Sequence, residues 1–123
     1  MVRRIAVTGV EEYDNYEELE WYLSLSLVRL SVFDDIIFVS GGGKGAEALA
    51  ERYAKENFYE LEVVKTKKRF SKKMAKKEKY KMLLEKADGF IFFGGIPAHE
   101  DFEFFRAIIR SQKSLRIVPV EIK

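Results

Sequence analysis

An apolar run that ends in a glycine-rich turn and a helix constrains this chain more than any other segment. Residues 36–39 are apolar without helical periodicity, and Ser40 is followed by four glycines within five positions, namely Gly41, Gly42, Gly43 and Gly45. After the turn, alanines and Leu49 recur at helical spacing over residues 46–54. The segment is therefore predicted to fold as a strand, a tight turn and a helix.

The same turn is the first candidate binding site. Glycine adopts left-handed angles and lets a backbone approach a ligand, and the first amides of a helix have no partner within that helix. Such turns attract anions, above all phosphate. A tight turn needs one or two glycines, so four are more than its geometry demands. We expect a ligand to be bound by Ser40, by the four glycines, by the charge of Lys44 and by Glu47.

Composition excludes several other kinds of site. With 123 residues, of which 47% are hydrophobic and 34% charged, one folded domain over residues 1–123 is expected. The chain has no cysteine and a single histidine, which excludes a disulfide, a thiol nucleophile and a histidine cluster. We predict no metal and no cofactor. The apolar run before Gly9 is too short for a signal peptide or a membrane span, which favours a cytoplasmic protein without membrane attachment.

Five apolar segments alternate with four helical patterns along the chain. The strands are predicted at residues 4–8, 36–39, 61–64, 89–93 and 115–120. Strands that are separated by helices run parallel, and the continuous apolar runs at 36–39 and 90–93 are typical of a sheet covered on both faces. The prediction is an α/β fold, a three-layer sandwich with a five-stranded, mainly parallel sheet, in which Pro119 marks an edge strand.

Helical spacing identifies caps and core faces. Asp14 and Asn15 are candidate caps of the first helix, and Ser71 is a candidate cap of the third. The residues predicted to face the core in the first helix are Leu19, Tyr22, Leu23, Leu27 and Leu30, and those in the last helix, which Pro97 is expected to start, are Phe102, Phe105, Ile108 and Ile109.

Two further glycine breaks are expected to lie near the first. Gly9 ends the first strand, and Gly94 and Gly95 end the fourth. In a parallel sheet, these turns and the 41–45 turn lie at the same edge, where ligands usually bind. Glu100 and Asp101 fall in the first turn of the last helix, where they either match its dipole or take part in chemistry. His99 is expected to be a solvated first-turn residue.

Two phosphate-binding motifs fit the glycine turn poorly. Gly41, Gly43 and Ala46 match G-x-G-x-x-A, the dinucleotide fingerprint, but they follow the second strand, and the third strand ends without an acid that would hold a ribose diol. A P-loop fits less well, because Lys44 precedes Gly45 and no serine or threonine follows the lysine.

A basic strip at residues 65–81, with ten basic residues and one acid, has two interpretations. It can attract nucleic-acid phosphates, or it can be a solvated helix face balanced by acids elsewhere. Aromatic residues for base stacking are few. The candidate nucleic-acid contacts are Lys67, Lys68, Arg69, Lys72, Lys73, Lys76 and Lys77.

The residues around the glycine turn resemble a known family. V-S-G-G-G-K-G-A-E at 39–47, with Leu49-Ala50 and Tyr53-Ala54, is similar to the S-G-G-A-x-G-A-D-x-L-A-x-x-W-A signature of the small Rossmann-like proteins called DUF2493 or YspA-like, in the SLOG superfamily. That superfamily also contains the DNA-processing protein DprA and the LOG phosphoribohydrolases. Weaker matches surround Gly9, Met82 and the Gly94-Gly95 pair, so the resemblance spans nearly the full chain.

Several family positions are altered. The family has serine and arginine after the first glycine, where this chain has Val10 and Glu11, and its Arg-Asn pair before the methionine appears here as Glu78-Lys79. Both changes remove ligand contacts that the resemblance would imply.

In the fourth turn, Pro97-Ala98 replaces Gly-Thr, and Asp101 occupies the place of the catalytic glutamate in the LOG motif P-G-G-x-G-T-x-x-E. The resemblance implies recognition of a nucleotide or a nucleotide derivative, with chemistry in some branches and sensing in others.

Three functions follow as hypotheses. The first is binding of a small nucleotide-like ligand by a sensor or carrier. The second is a nucleic-acid-binding module that uses the basic strip. The third is a LOG-like hydrolase of an N-glycosidic bond, with Asp101 as the carboxylate that stabilises a sugar cation or activates water. Whether the chain is an enzyme, and whether it forms a homo-oligomer, stay open.

Overall fold

The first strand of the chain lies at the centre of the sheet. A computed structural model describes residues 1–28, 34–65, 72–94 and 99–120. Within these ranges the elements are β1 (Val2–Gly9), α1 (Tyr16–Leu27), β2 (Asp35–Ser40), α2 (Ala46–Glu56), β3 (Glu60–Val63), α3 (Lys72–Lys86), β4 (Gly89–Gly94), α4 (His99–Arg110) and β5 (Ser114–Pro119).

All strand pairs of the described sheet are parallel, in the order β3-β2-β1-β4-β5. The register places Ile5 beside Phe38 and Gly89, and Gly9 beside Phe93. β5 is an edge strand, as the proline in it predicted. The continuous apolar runs of β2 and β4 are buried, because helices cover both faces of the sheet.

Two cores lie on opposite faces of the sheet. One contains three leucines of α1 and three alanines of α2, packed on side chains of β1, β2 and β4: Leu19, Leu23, Leu27, Ala46, Ala50 and Ala54. The other contains Leu83 of α3 and Phe104 of α4, among others. The fold is therefore the predicted three-layer, Rossmann-like α/β sandwich.

Of the two predicted cap residues of the first helix, Asn15 is the cap and Asp14 is not. The side chain of Asn15 caps α1, since its Oδ1 accepts a hydrogen bond from the Glu18 amide at 3.1 Å. Ser71, Leu30, Pro97, Gly95, Lys67, Lys68 and Arg69 lie outside the described residues, as do the side chains of Lys72 and Lys73.

The predicted core face of α4 is partly wrong. Phe105 and Ile108 are buried as expected, but Phe102 is 53% exposed and Ile109 is 66% exposed. The buried face consists of Asp101, Phe104, Phe105 and Ile108, at i, i+3, i+4 and i+7. Asp101 is charged and therefore was not counted in the apolar pattern. The predicted face was for this reason rotated around the helix relative to the buried one.

Candidate functional site

Three neighbouring strands end at a glycine, or directly before one, at one edge of the sheet. β1 ends at Gly9, β2 leads from Ser40 into the glycine turn, and β4 ends at Gly94. These strands are neighbours in the sheet and run in the same direction, so the structure brings the three breaks together as predicted.

The centre of this edge is a buried carboxylate. Glu47, in the first turn of α2, is only 1% exposed. Its Oε2 accepts hydrogen bonds from the Thr8 hydroxyl at 3.0 Å and from the Gly41 amide at 3.1 Å. Its Oε1 accepts hydrogen bonds from the Gly43 amide at 3.2 Å and from the Lys79 ammonium at 3.0 Å. The inner side of the glycine turn therefore already holds an anion, which belongs to the chain itself.

Lys79 is a site residue that the candidate list did not include. It reaches the turn from α3, and its side chain is 17% exposed. Its alkyl chain also lies against Gly41, where a Cβ would overlap Lys79 Cδ. In the sequence it is one of ten basic residues in the strip, and only its place in the family's Arg-Asn pair distinguishes it from the others.

The four glycines of the turn have structural reasons, which corrects the argument that they exceed what geometry demands. A Cβ on Gly41 or Gly43 would overlap the carboxylate of Glu47. Gly42 and Gly45 have φ of +75° and +67°, which side chains rarely adopt. Their number alone is therefore not evidence for an external ligand.

Gly9 is also required by packing. A Cβ there would overlap the carbonyl oxygen of Phe93 on the neighbouring strand and would lie 2.8 Å from the Cβ of Ala46. The glycine thus allows β1, β4 and the start of α2 to approach closely, which brings the three turns of this edge together.

The side chain of Ser40 stabilises the turn through two hydrogen bonds. Its hydroxyl accepts a hydrogen bond from the Gly42 amide at 3.1 Å and donates one to Glu51 Oε2 at 2.7 Å. Together with the bonds to Glu47, these contacts occupy the amides of three successive glycines.

The outer side of the turn, which faces away from the Glu47 carboxylate, has fewer contacts of this kind. Gly45 is the N-cap residue of α2, and no side chain caps this end of the helix. The Ala46 amide lies 3.3 Å from the Val10 carbonyl oxygen, to which it donates. Lys44 is exposed and forms no ion pair with the described residues. The start of α2 is therefore covered by the backbone of residues 10 and 11, and the exposed Lys44 is the group beside it that a solvent-borne anion can approach.

A second buried carboxylate lies on the other face of the sheet. Asp101 is 3% exposed, and its Oδ1 accepts a hydrogen bond from the Tyr80 hydroxyl at 2.5 Å. The Lys76 ammonium lies 3.2 Å from the same oxygen. The Tyr80 ring stacks on Phe104 with 4.1 Å between ring centroids. Burial and the hydrogen bond to Asp101 raise the pKa of Tyr80 far above its usual value.

The basic side chains of the strip that the structure describes fall into two groups. Lys76 and Lys79 point inward to Asp101 and Glu47, so these two of the described lysines neutralise buried acids. Lys77 and Lys81 lie one helical turn apart and are exposed. Lys76 was a predicted nucleic-acid contact, but its ammonium is paired within the chain.

Other site types find no support in the part of the chain that is described. No group of three or more histidine, cysteine, aspartate or glutamate side chains there is placed to hold a metal ion. Among the described helices, none combines the length and the apolar character that crossing a bilayer requires.

Comparisons with known proteins agree with the fold. The model of the YspA, cpYpsA-related SLOG family, YAcAr, matches residues 3–69, which is more than half of the chain. The match includes β1 from Arg3 onward, β2, β3 and the whole glycine turn. No curated protein matches the sequence.

A solved structure is also similar. It is DNA processing protein A from Helicobacter pylori, described for its unique single-stranded DNA binding mode. The likeness has a TM-score of 0.66 at 14% sequence identity, and it covers 98% of this chain and 67% of that chain.

Proposed function

Because the chain belongs to the YspA, cpYpsA-related SLOG family, we propose that it binds a nucleotide or a nucleotide derivative at the carboxyl edge of its sheet. It would act there as a sensor or a carrier. The observation that carries this proposal is the exposed Lys44 beside the start of α2, at the edge where three strands end.

The phosphate of the ligand would lie on the outer side of the glycine turn. The inner amides of Gly41 and Gly43 donate to Glu47, and a phosphate beside that carboxylate would be repelled. The first turn of α2 carries the positive end of the helix dipole, and Lys44 adds a full charge. The base and ribose would extend along the edge toward Gly9 and Gly94.

Thermal unfolding with a ligand panel tests this proposal. The panel contains nucleoside mono- and diphosphates, cyclic nucleotides, NAD and ADP-ribose. A ligand at ~100 times its dissociation constant stabilises the folded state by about 2.7 kcal/mol, which is readily measured as a rise in Tm. No rise with any of them at millimolar concentration would contradict the proposal.

A matched pair of variants locates the phosphate. Lys44→Met removes the charge beside the start of α2, whereas Lys55→Met removes an exposed charge from the last turn of the same helix. We expect the ligand-induced rise in Tm to shrink in Lys44→Met and to persist in Lys55→Met. Equal responses would place the phosphate elsewhere.

Hydrolysis of an N-glycosidic bond has less support. The Asp101 carboxylate is buried and accepts the Tyr80 hydrogen bond, and Lys76 neutralises it. These contacts suit a structural acid. The hydrolase hypothesis is tested by incubation with AMP and related monophosphates, with release of free base as the readout and Asp101→Asn as the variant that must abolish it.

Nucleic-acid binding is the second candidate function, and the exposed pair Lys77 and Lys81 favours it. The fold likeness to a protein described for single-stranded DNA binding makes single-stranded DNA the first probe. Each phosphate contact should contribute about 0.7 to the slope of log affinity against log salt on a single strand. We expect Lys77→Gln with Lys81→Gln to lower that slope and Lys55→Gln to leave it unchanged; no binding at low salt would refute this candidate.

A further inference from the structure

The contacts of Glu47 are those of an anion-binding site rather than those of an ordinary ion pair. Four donors of three kinds converge on one carboxylate: the Thr8 hydroxyl, the backbone amides of Gly41 and Gly43, and the Lys79 ammonium. Each carboxylate oxygen accepts two of them, at 3.0–3.2 Å. Backbone amides of a turn combined with a cation form the donor set by which proteins bind free oxyanions.

The turn also provides the space for the two oxygens. A Cβ on Gly41 would overlap Glu47 Oε2, and a Cβ on Gly43 would overlap Oε1. The volume that the carboxylate occupies is thus created by the two missing side chains. Glycines at both positions are required for an oxyanion to lie there, whether it is attached to the chain or comes from solution.

The Glu47 carboxylate is held in this site by its own short side chain, and some residues around it are partly exposed. Gly41 and Gly43 are half-buried, and the Lys79 side chain above them is partly exposed. Glu47 and Thr8 are each only 1% exposed, so an external anion can reach the four donors only when the Glu47 side chain rotates away from them.

We propose that Thr8, Gly41, Gly43 and Lys79 form an oxyanion site in which Glu47 is the resident ligand and from which a carboxylate or phosphate in solution can displace it. The tether gives Glu47 a high effective concentration, so external anions compete weakly in the wild-type protein. The site is distinct from the outer phosphate position beside Lys44, and its existence does not depend on a nucleotide ligand.

The test removes the resident ligand and supplies a substitute. Glu47→Ala is compared with the wild type and with Asp101→Ala, which removes the other buried carboxylate that pairs with a lysine of α3. Each protein is unfolded thermally in sodium acetate, sodium phosphate or sodium chloride at equal ionic strength. The amide signals of Gly41 and Gly43 are followed by NMR in the same titrations.

We expect acetate or phosphate to raise the Tm of Glu47→Ala by several degrees more than chloride does, and more than in Asp101→Ala. Both glycine amide signals should shift and saturate, and adding Lys79→Met should abolish the effect. The two anions separate the chemistries, since acetate reproduces the planar carboxylate and phosphate tests whether a tetrahedral anion is accepted. Equal Tm changes in both variants, or amide signals that do not respond, would overturn the proposal.

Two further measurements cover a Glu47→Ala protein that does not fold. Glu47→Gln keeps the side-chain volume without the charge, and we expect it to bind phosphate at Gly41 and Gly43 at least about tenfold more tightly than the wild type. In the wild type, the same two amide signals should shift only at far higher phosphate concentration. Equal affinities in the two proteins would refute the resident role of Glu47. A failed nucleotide panel would leave these outcomes unchanged, because they are read with inorganic phosphate and acetate.

Discussion

Removing one hydroxyl group, in Tyr80→Phe, tests how much the buried carboxylate of Asp101 depends on its hydrogen bond. Tyr80 is 5% exposed, and its hydroxyl is the donor to a carboxylate that is almost fully buried. A hydrogen bond to a charged group contributes about 1.5–3 kcal/mol, so we expect the free energy of unfolding to fall by about 2 kcal/mol. The ring stacking on Phe104 is retained, which limits the change to the polar contact.

The expected change in Tm follows from the length of the chain. Unfolding entropy is about 2.1 cal/mol/K per residue, so each kcal/mol corresponds to about 4 °C for 123 residues. Tyr80→Phe should therefore lower Tm by about 8 °C. In urea, the midpoint should fall while the slope m stays the same.

The matched control is Tyr16→Phe. The Tyr16 hydroxyl also donates to a carboxylate, Glu56 Oε2 at 2.6 Å, but that contact is exposed to solvent. We expect a clearly smaller loss of stability there. If Tyr80→Phe costs no more than Tyr16→Phe, the reasoning from burial is wrong.

The pH dependence of the same variant gives an independent check. The Tyr80 pKa is raised in the folded state, whereas the unfolded chain ionises near the ordinary value of 10.0. Above pH 10 the unfolded chain loses the Tyr80 proton while the folded state still binds it. The contribution of Tyr80 to stability is therefore complete below pH 10 and is lost as pH rises above it. The advantage of the wild type over Tyr80→Phe should shrink by about 1.4 kcal/mol per pH unit above pH 10. A constant difference between pH 9 and pH 11 would refute the raised pKa.

Three further changes have expected effects on unfolding in urea. Gly45→Ala should destabilise the fold by about 3 kcal/mol, because it combines a positive φ with overlap on a neighbouring carbonyl, whereas Gly42→Ala should cost only about 1 kcal/mol; equal losses would contradict this. Asn15→Ala should cost about 1 kcal/mol through the lost helix cap, and an unchanged midpoint would exclude that role. Hydrogen bonding to Lys86 lowers the pKa of Glu62 below its ordinary value of 4.5. The carboxylate of Glu62 therefore stabilises the fold above pH 4.5, and this contribution is lost as the pH falls below that value. The difference in stability between the wild type and Glu62→Gln should disappear in acid, and a difference that persists at pH 3 would refute this.

The sheet was predictable because its evidence is local. The apolar runs in β2 and β4 are continuous over four residues, and helical patterns separate all the strands, which permits few topologies other than a parallel sheet. Strand ends differ from the predicted ends by one or two residues only. Pro119 identified an edge strand because its missing amide excludes a central position.

The interior of the candidate site was less predictable because its evidence is distant. The partner of Glu47 is Lys79, which lies on another helix among many similar lysines. Glycines that make room for a carboxylate also look, in a sequence, like glycines that make room for a ligand. The position of the turn is therefore predictable from the sequence, whereas the side-chain carboxylate that occupies its inner amides is not.

The buried face of α4 was also difficult to predict, because the contacts of Asp101 come from another helix. A buried aspartate contributes nothing to an apolar pattern, although Tyr80 and Lys76 satisfy it from a different helix. Once Asp101 is recognised as an inward residue, Phe104 and Ile108 follow from helical spacing.

The central position of β1 has a consequence for synthesis of the chain. β1 pairs with β2, which follows soon after it, but its other neighbour, β4, begins only at Gly89. At about 5–20 residues per second, that edge of β1 stays unpaired for roughly 4–16 s on the ribosome. During this interval alternate residues of the segment 5–9 offer unpaired backbone groups to any other strand, so chains truncated before β4 would begin to aggregate at this edge.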